Sequence, residues 1–148
     1  MTFRLALPLL LLLAIPAGAL AATSVELDKK LTQWHSLPEA EKPARYEALL
    51  SEFEKSHSEK PGDTNILRGA AELSFARKDF GAASKFYYKL LAIHPRACDA
   101  HVRLGIIAAN GGDTGRAREE LAAELSNCPS GNAYVDQLRA KLPAGTSH

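Results

Sequence analysis

The sequence predicts an all-α chain of antiparallel helix-hairpin repeats, closed at its C-terminal end by a capping helix. Three observations predict it. Pro61, Pro95 and Pro129 stand 34 residues apart. Five pairs keep the same interval in order: Ala71 with Gly105, Asp79 with Asp113, Ala83 with Ala117, Tyr87 with Leu121, and Leu91 with Leu125. Within each unit the apolar residues recur at steps of three and four, the helical period. Self-similarity at a fixed period of this length marks a repeat architecture.

The first residues stand apart from the repeats. Met1 to Arg4 is a short positive start, Leu5 to Ile15 is almost wholly apolar, Pro16 breaks the run, and Ala19-Leu20-Ala21 is a small-x-small pattern. That order is expected of a cleaved export signal over residues 1–21, with cleavage after Ala19 or Ala21. The apolar run is shorter than the roughly 20 residues that cross a bilayer. An uncleaved anchor is the alternative reading.

Residues 22–63 are expected to form a divergent helical hairpin. Leu27, Leu31 and Trp34 share one helical face, Pro38 and Pro43 interrupt, and Tyr46, Leu49 and Phe53 define a second face. In the unit 64–97, Leu67, Ala70, Ala71 and Ser74 give a narrow stripe of mostly small residues. Lys78-Asp79 turns the chain, with Asp79 placed to cap the next helix through its carboxylate. Phe80, Ala83, Tyr87, Leu90 and Leu91 follow, and His94-Pro95 ends the helix because proline cannot continue the backbone ladder.

The unit 98–131 is a cleaner copy. Leu104, Gly105 and Ala108 lie on one face, Asn110-Gly111-Gly112 supplies residues that tolerate positive φ, Asp113 or Thr114 caps, and Ala117, Leu121 and Leu125 are the expected buried side. Small residues recur where helices cross because they permit close approach. Residues 132–142, with Tyr134, Val135, Leu138 and Leu142 at helical spacing, read as a cap over the last unit, and 143–148 as a disordered tail.

Leu104-Gly105, Ala117, Leu121 and Pro129 together resemble the tetratricopeptide repeat family, whose 34-residue unit carries a Leu-Gly pair, a later Ala, an apolar residue and a closing Pro. Ala70-Ala71, Ala83, Tyr87 and Pro95 match the same pattern more loosely. Ser74 and Ala108 stand where the family has an aromatic residue. The resemblance implies a TPR-like solenoid whose first helices line a concave groove. It also implies a non-catalytic role, as a scaffold or adaptor that binds a protein or peptide partner.

Removing residues 1–21 takes away Arg4 and no acid, so 17 basic side chains face 17 acidic ones and the net charge is zero with neutral histidines. Nucleic-acid and membrane-surface partners, which need a basic stripe or cluster, are not expected. Cys98 opens the first helix of its unit and Cys128 closes the second, so an antiparallel hairpin brings them together. Export permits their oxidation to a disulfide, worth about 3–4 kcal/mol by loop entropy. Two separate buried thiols are the alternative. His35, His57, His94, His101 and His148 are scattered, and Cys98 with His101 is too few ligands, so no metal and no cofactor are expected.

No nucleophile elbow, phosphate loop or dinucleotide fingerprint occurs. Asn110 to Gly115 is glycine-rich but falls at the inter-helix turn of the repeat, and Glu119-Glu120 reads as a solvated face. A small exported enzyme or ligand-binding helical domain with a cryptic pocket is the second function class. For the first class, the groove-facing positions are Asn65, Arg68, Glu72 and Phe75 in one unit and Asp99, Val102, Arg103, Ile106 and Asn110 in the next. Val102 and Ile106 are expected to form an apolar strip flanked by Arg68 and Arg103, suited to a peptide with a carboxylate. Packing of Phe75, Val102 and Ile106 under the N-terminal hairpin is the alternative. Periplasmic or secreted localisation follows from the leader.

Overall fold

A computed structural model describes residues 22–128 and 134–143. The expected leader (1–21), Pro129, the first residues of the expected cap and residues 144–148 of the expected 143–148 tail lie outside them. Seven helices and no strand occur among the described residues: α1 Ser24–His35, α2 Lys42–Glu59, α3 Thr64–Ala76, α4 Phe80–Ile93, α5 Cys98–Asn110, α6 Thr114–Asn127 and α7 Val135–Lys141. The chain is all-α. No helix among the described residues is long and apolar enough to cross a membrane.

The 34-residue interval is written into the backbone as well as the sequence. Helices α2, α4 and α6 end at Glu59, Ile93 and Asn127. The next residue in each case, Lys60, His94 or Cys128, takes φ near −130° and ψ of 67°, 80° or 71°. Each donates its N–H to the carbonyl four residues back, on Ser56, Leu90 or Glu124. The α3–α4 and α5–α6 turns also match bond for bond. Asp79 N–H reaches the Ser74 carbonyl and Asp113 N–H the Ala108 carbonyl, both at 2.9 Å. The residue before each aspartate is left-handed, Lys78 with φ 64° and Gly112 with φ 82°. Asp79 and Asp113 then cap α4 and α6, accepting from Ala82 N–H at 3.1 Å and Arg116 N–H at 2.9 Å. Each cap satisfies a donor that a helix start leaves unpaired.

The first hairpin departs from this register. Thr64 and Cys98 open α3 and α5, which would place the start of α1 at residue 30, yet α1 begins at Ser24. A capping box fixes it there: Thr23 Oγ1 accepts from Glu26 N–H at 3.2 Å and Glu26 Oε2 accepts from Thr23 N–H at 2.8 Å. Pro43 sits in the first turn of α2, where a missing N–H costs nothing.

Each helix packs on its sequence neighbours, α1 also on α3, and α5 also on α7. The main core joins Leu27, Leu31 and Trp34 of α1, Tyr46, Leu49 and Phe53 of α2, and Leu67, Leu73, Phe86, Tyr87 and Leu90 of α3 and α4. A second cluster holds Val102 and Ile106 of α5, Ala117 of α6, and Val135 and Leu138 of α7. Gly105 has a packing reason to be glycine: a Cβ there would meet Leu138 Cδ2 at 2.5 Å. The short α7 covers the face left by α5 and α6, as a cap does.

Cys98 and Cys128 are disulfide-bonded, with Cα atoms 6.1 Å apart. The bond joins the start of α5 to the end of α6, so the two run antiparallel. The face of α6 differs from the sequence expectation. Leu125 is 47% exposed, whereas Glu120 and Glu124 are buried. Glu120 therefore lies on the packed face instead of the solvated one, its carboxylate held by His101 Nδ1 at 2.8 Å and Arg116 Nε at 3.0 Å.

Candidate functional site

A cleft of about 420 Å3 lies between α1 and α3, floored by α2. Ser24, Val25 and Asp28 of α1 form one wall and Asn65, Arg68 and Glu72 of α3 the other, with Leu31, Phe53 and Gly69 beneath. Helical spacing aligns each wall: 24, 25 and 28 share a face of α1, and 65, 68 and 72 share a face of α3. Gly69 sets the depth of the floor. A Cβ on it would meet Phe53 Cε1 at 2.4 Å, so only glycine lets the Phe53 ring lie against the α3 backbone.

Two polar chains hold the α3 wall. Arg68 Nε donates to Asp99 Oδ2 at 2.6 Å and Arg68 Nη1 reaches Asn65 Oδ1 at 3.4 Å. Arg103 donates to both Glu72 oxygens, from Nε at 3.1 Å and Nη2 at 2.8 Å. This is a fork-to-fork pair, the geometry that orients a carboxylate. Tyr87 Oη donates to Glu72 Oε1 at 2.6 Å from a fully buried ring. Burial first, and the Glu72 carboxylate second, push the Tyr87 phenol pKa up, so it stays a donor at neutral pH. The Arg103 guanidinium is itself sandwiched, 4.3 Å from the Phe75 ring centroid and 4.0 Å from that of Tyr134. Glu72 is thus held by three hydrogen bonds from two side chains, Arg103 and Tyr87, which fix its orientation in the cleft wall.

The nine groove positions expected from sequence divide accordingly. Asn65, Arg68 and Glu72 line the cleft. Asp99 and Arg103 stand behind it, gripping Arg68 and Glu72 from α5. Phe75 is partly buried, tilted against Phe80 at 5.7 Å. Val102 is 0% and Ile106 3% exposed, so the open apolar strip expected of them does not exist. They pack with Val135 and Leu138 of the C-terminal cap, not under the N-terminal hairpin. Asn110 accepts from Lys141 Nζ at 2.7 Å, tying α5 to α7.

Sequence reasoning missed the α1 wall and the floor. Ser24, Val25 and Asp28 lay in the segment that fits the 34-residue grid worst. Val25 is 65% exposed, a large apolar side chain at the cleft rim, and that alone could have drawn notice. Among the described residues one group of potential metal ligands occurs, Cys98, Glu124 and Cys128, at the far end of α5 and α6. No protein-family model matches the chain, and no curated protein is similar enough to it to count as a relative.

Proposed function

We propose that the chain is a non-catalytic scaffold or adaptor of the TPR-like type, exported to the cell envelope, which holds a segment of a partner protein in the α1–α3 cleft. The observation that carries the reading is the cleft itself. It lies between the first helices of successive hairpins, where a TPR-like array presents its concave face. The charged residues of its α3 wall, Arg68 and Glu72, are already held by partners on α5 and α4. Pre-ordered side chains lose less conformational entropy when a ligand arrives.

An apolar rim at Val25, a donor at Arg68 and acceptors at Glu72 and Asp28 suit a short peptide carrying one apolar anchor and both charge signs. The exact repeats of turn geometry at residues 74–79 and 108–113 support the TPR-like arrangement, and the disulfide suits an oxidising compartment. The test is photo-crosslinking in the native envelope from single positions. Probes at Val25 and Asn65 should capture the same partner, and a probe at Leu125 on α6, outside the cleft, should not. Equal capture from all three positions overturns the assignment of the cleft.

A further inference from the structure

Glu124 is out of place. It is 0% exposed, and neither carboxylate oxygen has a hydrogen-bond partner. Its equivalents one and two repeats earlier are Leu90 and Ser56, both fully buried. The core position that a leucine fills in the α3–α4 unit therefore holds a carboxylate in the α5–α6 unit. A buried carboxylate without partners costs several kcal/mol if it ionises, so an unexplained one points to a ligand.

What lies beside it supplies the chemistry. A Glu124 oxygen, Cys98 Sγ and Cys128 Sγ all lie within 4.8 Å of one another. His101 is near but engaged, with Nδ1 on Glu120 Oε2 at 2.8 Å and Nε2 on the Pro95 carbonyl at 3.0 Å. The ligand set is two sulfurs and one carboxylate. A tetrahedral Zn2+, with Zn–S near 2.3 Å and Zn–O near 2.1 Å, separates its ligand atoms by roughly 3.5–3.8 Å. Once the S–S bond is opened, the two sulfurs must separate to that spacing, which is less than the 4.8 Å within which the three ligand atoms lie.

We propose that Cys98, Cys128 and Glu124 form a metal site, masked by the disulfide and exposed on its reduction, for a thiolate-preferring divalent cation of the Zn2+ class. A dithiol reductant gives up two electrons and two protons, becomes a cyclic disulfide, and leaves Cys98 and Cys128 as thiols. Binding of the cation then releases both thiol protons, and the Glu124 proton where it is held, and water fills the fourth position. The junction of α5 and α6 is closed by a covalent bond under oxidising conditions and by a metal under reducing ones. This site is separate from the cleft and does not depend on what the cleft binds.

The test uses the full chain, reduced without oxygen by a phosphine that brings no competing thiol, and titrated with Co2+. One Co2+ per chain should bind with thiolate-to-metal charge-transfer absorption, Zn2+ should displace it, and the oxidised chain should show none. Glu124→Gln should weaken binding by at least about tenfold, since even outer-shell changes reach that size. The double variant Cys98→Ser, Cys128→Ser should abolish it. Absent absorption in a reduced chain that is still helical overturns the proposal, as does unchanged affinity in Glu124→Gln. If reduction alone unfolds the chain, Zn2+ should restore its helical circular dichroism, and failure to restore it is equally decisive.

Discussion

Replacing Gly69 by alanine should destabilise the protein, against the usual trend for a glycine inside a helix. At an unconstrained interior position of a helix such as α3, Gly→Ala gains about 0.8–1 kcal/mol of helix propensity. Here the new methyl carbon would sit 2.4 Å from Phe53 Cε1 and 2.7 Å from Cζ, where carbon atoms rest at about 3.5–4 Å. The ring must move by about 1 Å, and at 1% exposure it is enclosed by its own core. Overpacking of this kind costs about 1–3 kcal/mol, which leaves a net loss of about 0–2 kcal/mol. Phe53→Leu withdraws the clashing atoms, so in that background Gly69→Ala should become stabilising by about 0.5–1 kcal/mol. Urea unfolding of the four oxidised proteins, followed by circular dichroism, closes the double-mutant cycle. The expected coupling is about 0.5–3 kcal/mol. Equal stabilisation by Gly69→Ala in both backgrounds would refute the contact and the floor built on it.

Three further outcomes follow from named interactions. Asp79→Ala should cost more than Asp113→Ala: each loses a cap worth about 1 kcal/mol. Asp79 also accepts from Tyr46 Oη at 2.9 Å, a donor that burial pushes up to about 12, and that bond adds about 1–2 kcal/mol. Unfolding midpoints of the two variants measure the difference. Lys78→Gly should stabilise by about 1 kcal/mol in the same assay, because φ of 64° places a Cβ in the left-handed region that glycine occupies freely. His57 is held below its usual pKa of 6.5, first by burial and then by Lys89, and its Nδ1 is buried without a partner. The unfolded chain then takes up the proton first, so stability present above pH 6.5 is lost as pH falls through the depressed native value. Stability measured from about pH 8 to about pH 5 should fall in the wild type and fall less in His57→Gln. Parallel curves would show that His57 does not titrate differently on folding.

Local chemistry explains what was legible in the sequence. The turn at Lys78 with Asp79 as cap, and the positive φ within Asn110-Gly111-Gly112 before a cap at Asp113, are legible because turns and caps are properties of two or three adjacent residues. The left-handed φ of Lys78, by contrast, carries no signal in a lysine. The Cys98–Cys128 bond follows from the same hairpin logic, since a short turn returns the end of one helix to the start of the other. What sequence patterning misassigned depends on tertiary partners. Val102 and Ile106 look available on α5 until α7 folds back over them. Glu120 looks solvent-facing by charge, yet it occupies the position of Phe86 one repeat earlier, and the grid outweighs its charge. The cleft was half legible. Asn65, Arg68 and Glu72 follow from helical spacing on α3, but the opposing wall depends on the Thr23–Glu26 capping box, which starts α1 six residues ahead of the repeat register.

The most direct measurement of the central claim is calorimetric titration of the crosslinked partner segment, made as a peptide, against the oxidised chain and three variants at exposed positions. Val25→Asp and Asn65→Arg alter the two walls of the cleft, and Leu125→Asp alters an exposed site on α6 outside it. Loss of an apolar rim contact or blockage of the wall should each weaken binding at least about tenfold, or 1.4 kcal/mol, with Leu125→Asp unchanged. Affinity that is indifferent to both cleft variants, or that falls only with Leu125→Asp, contradicts the α1–α3 cleft as the binding surface.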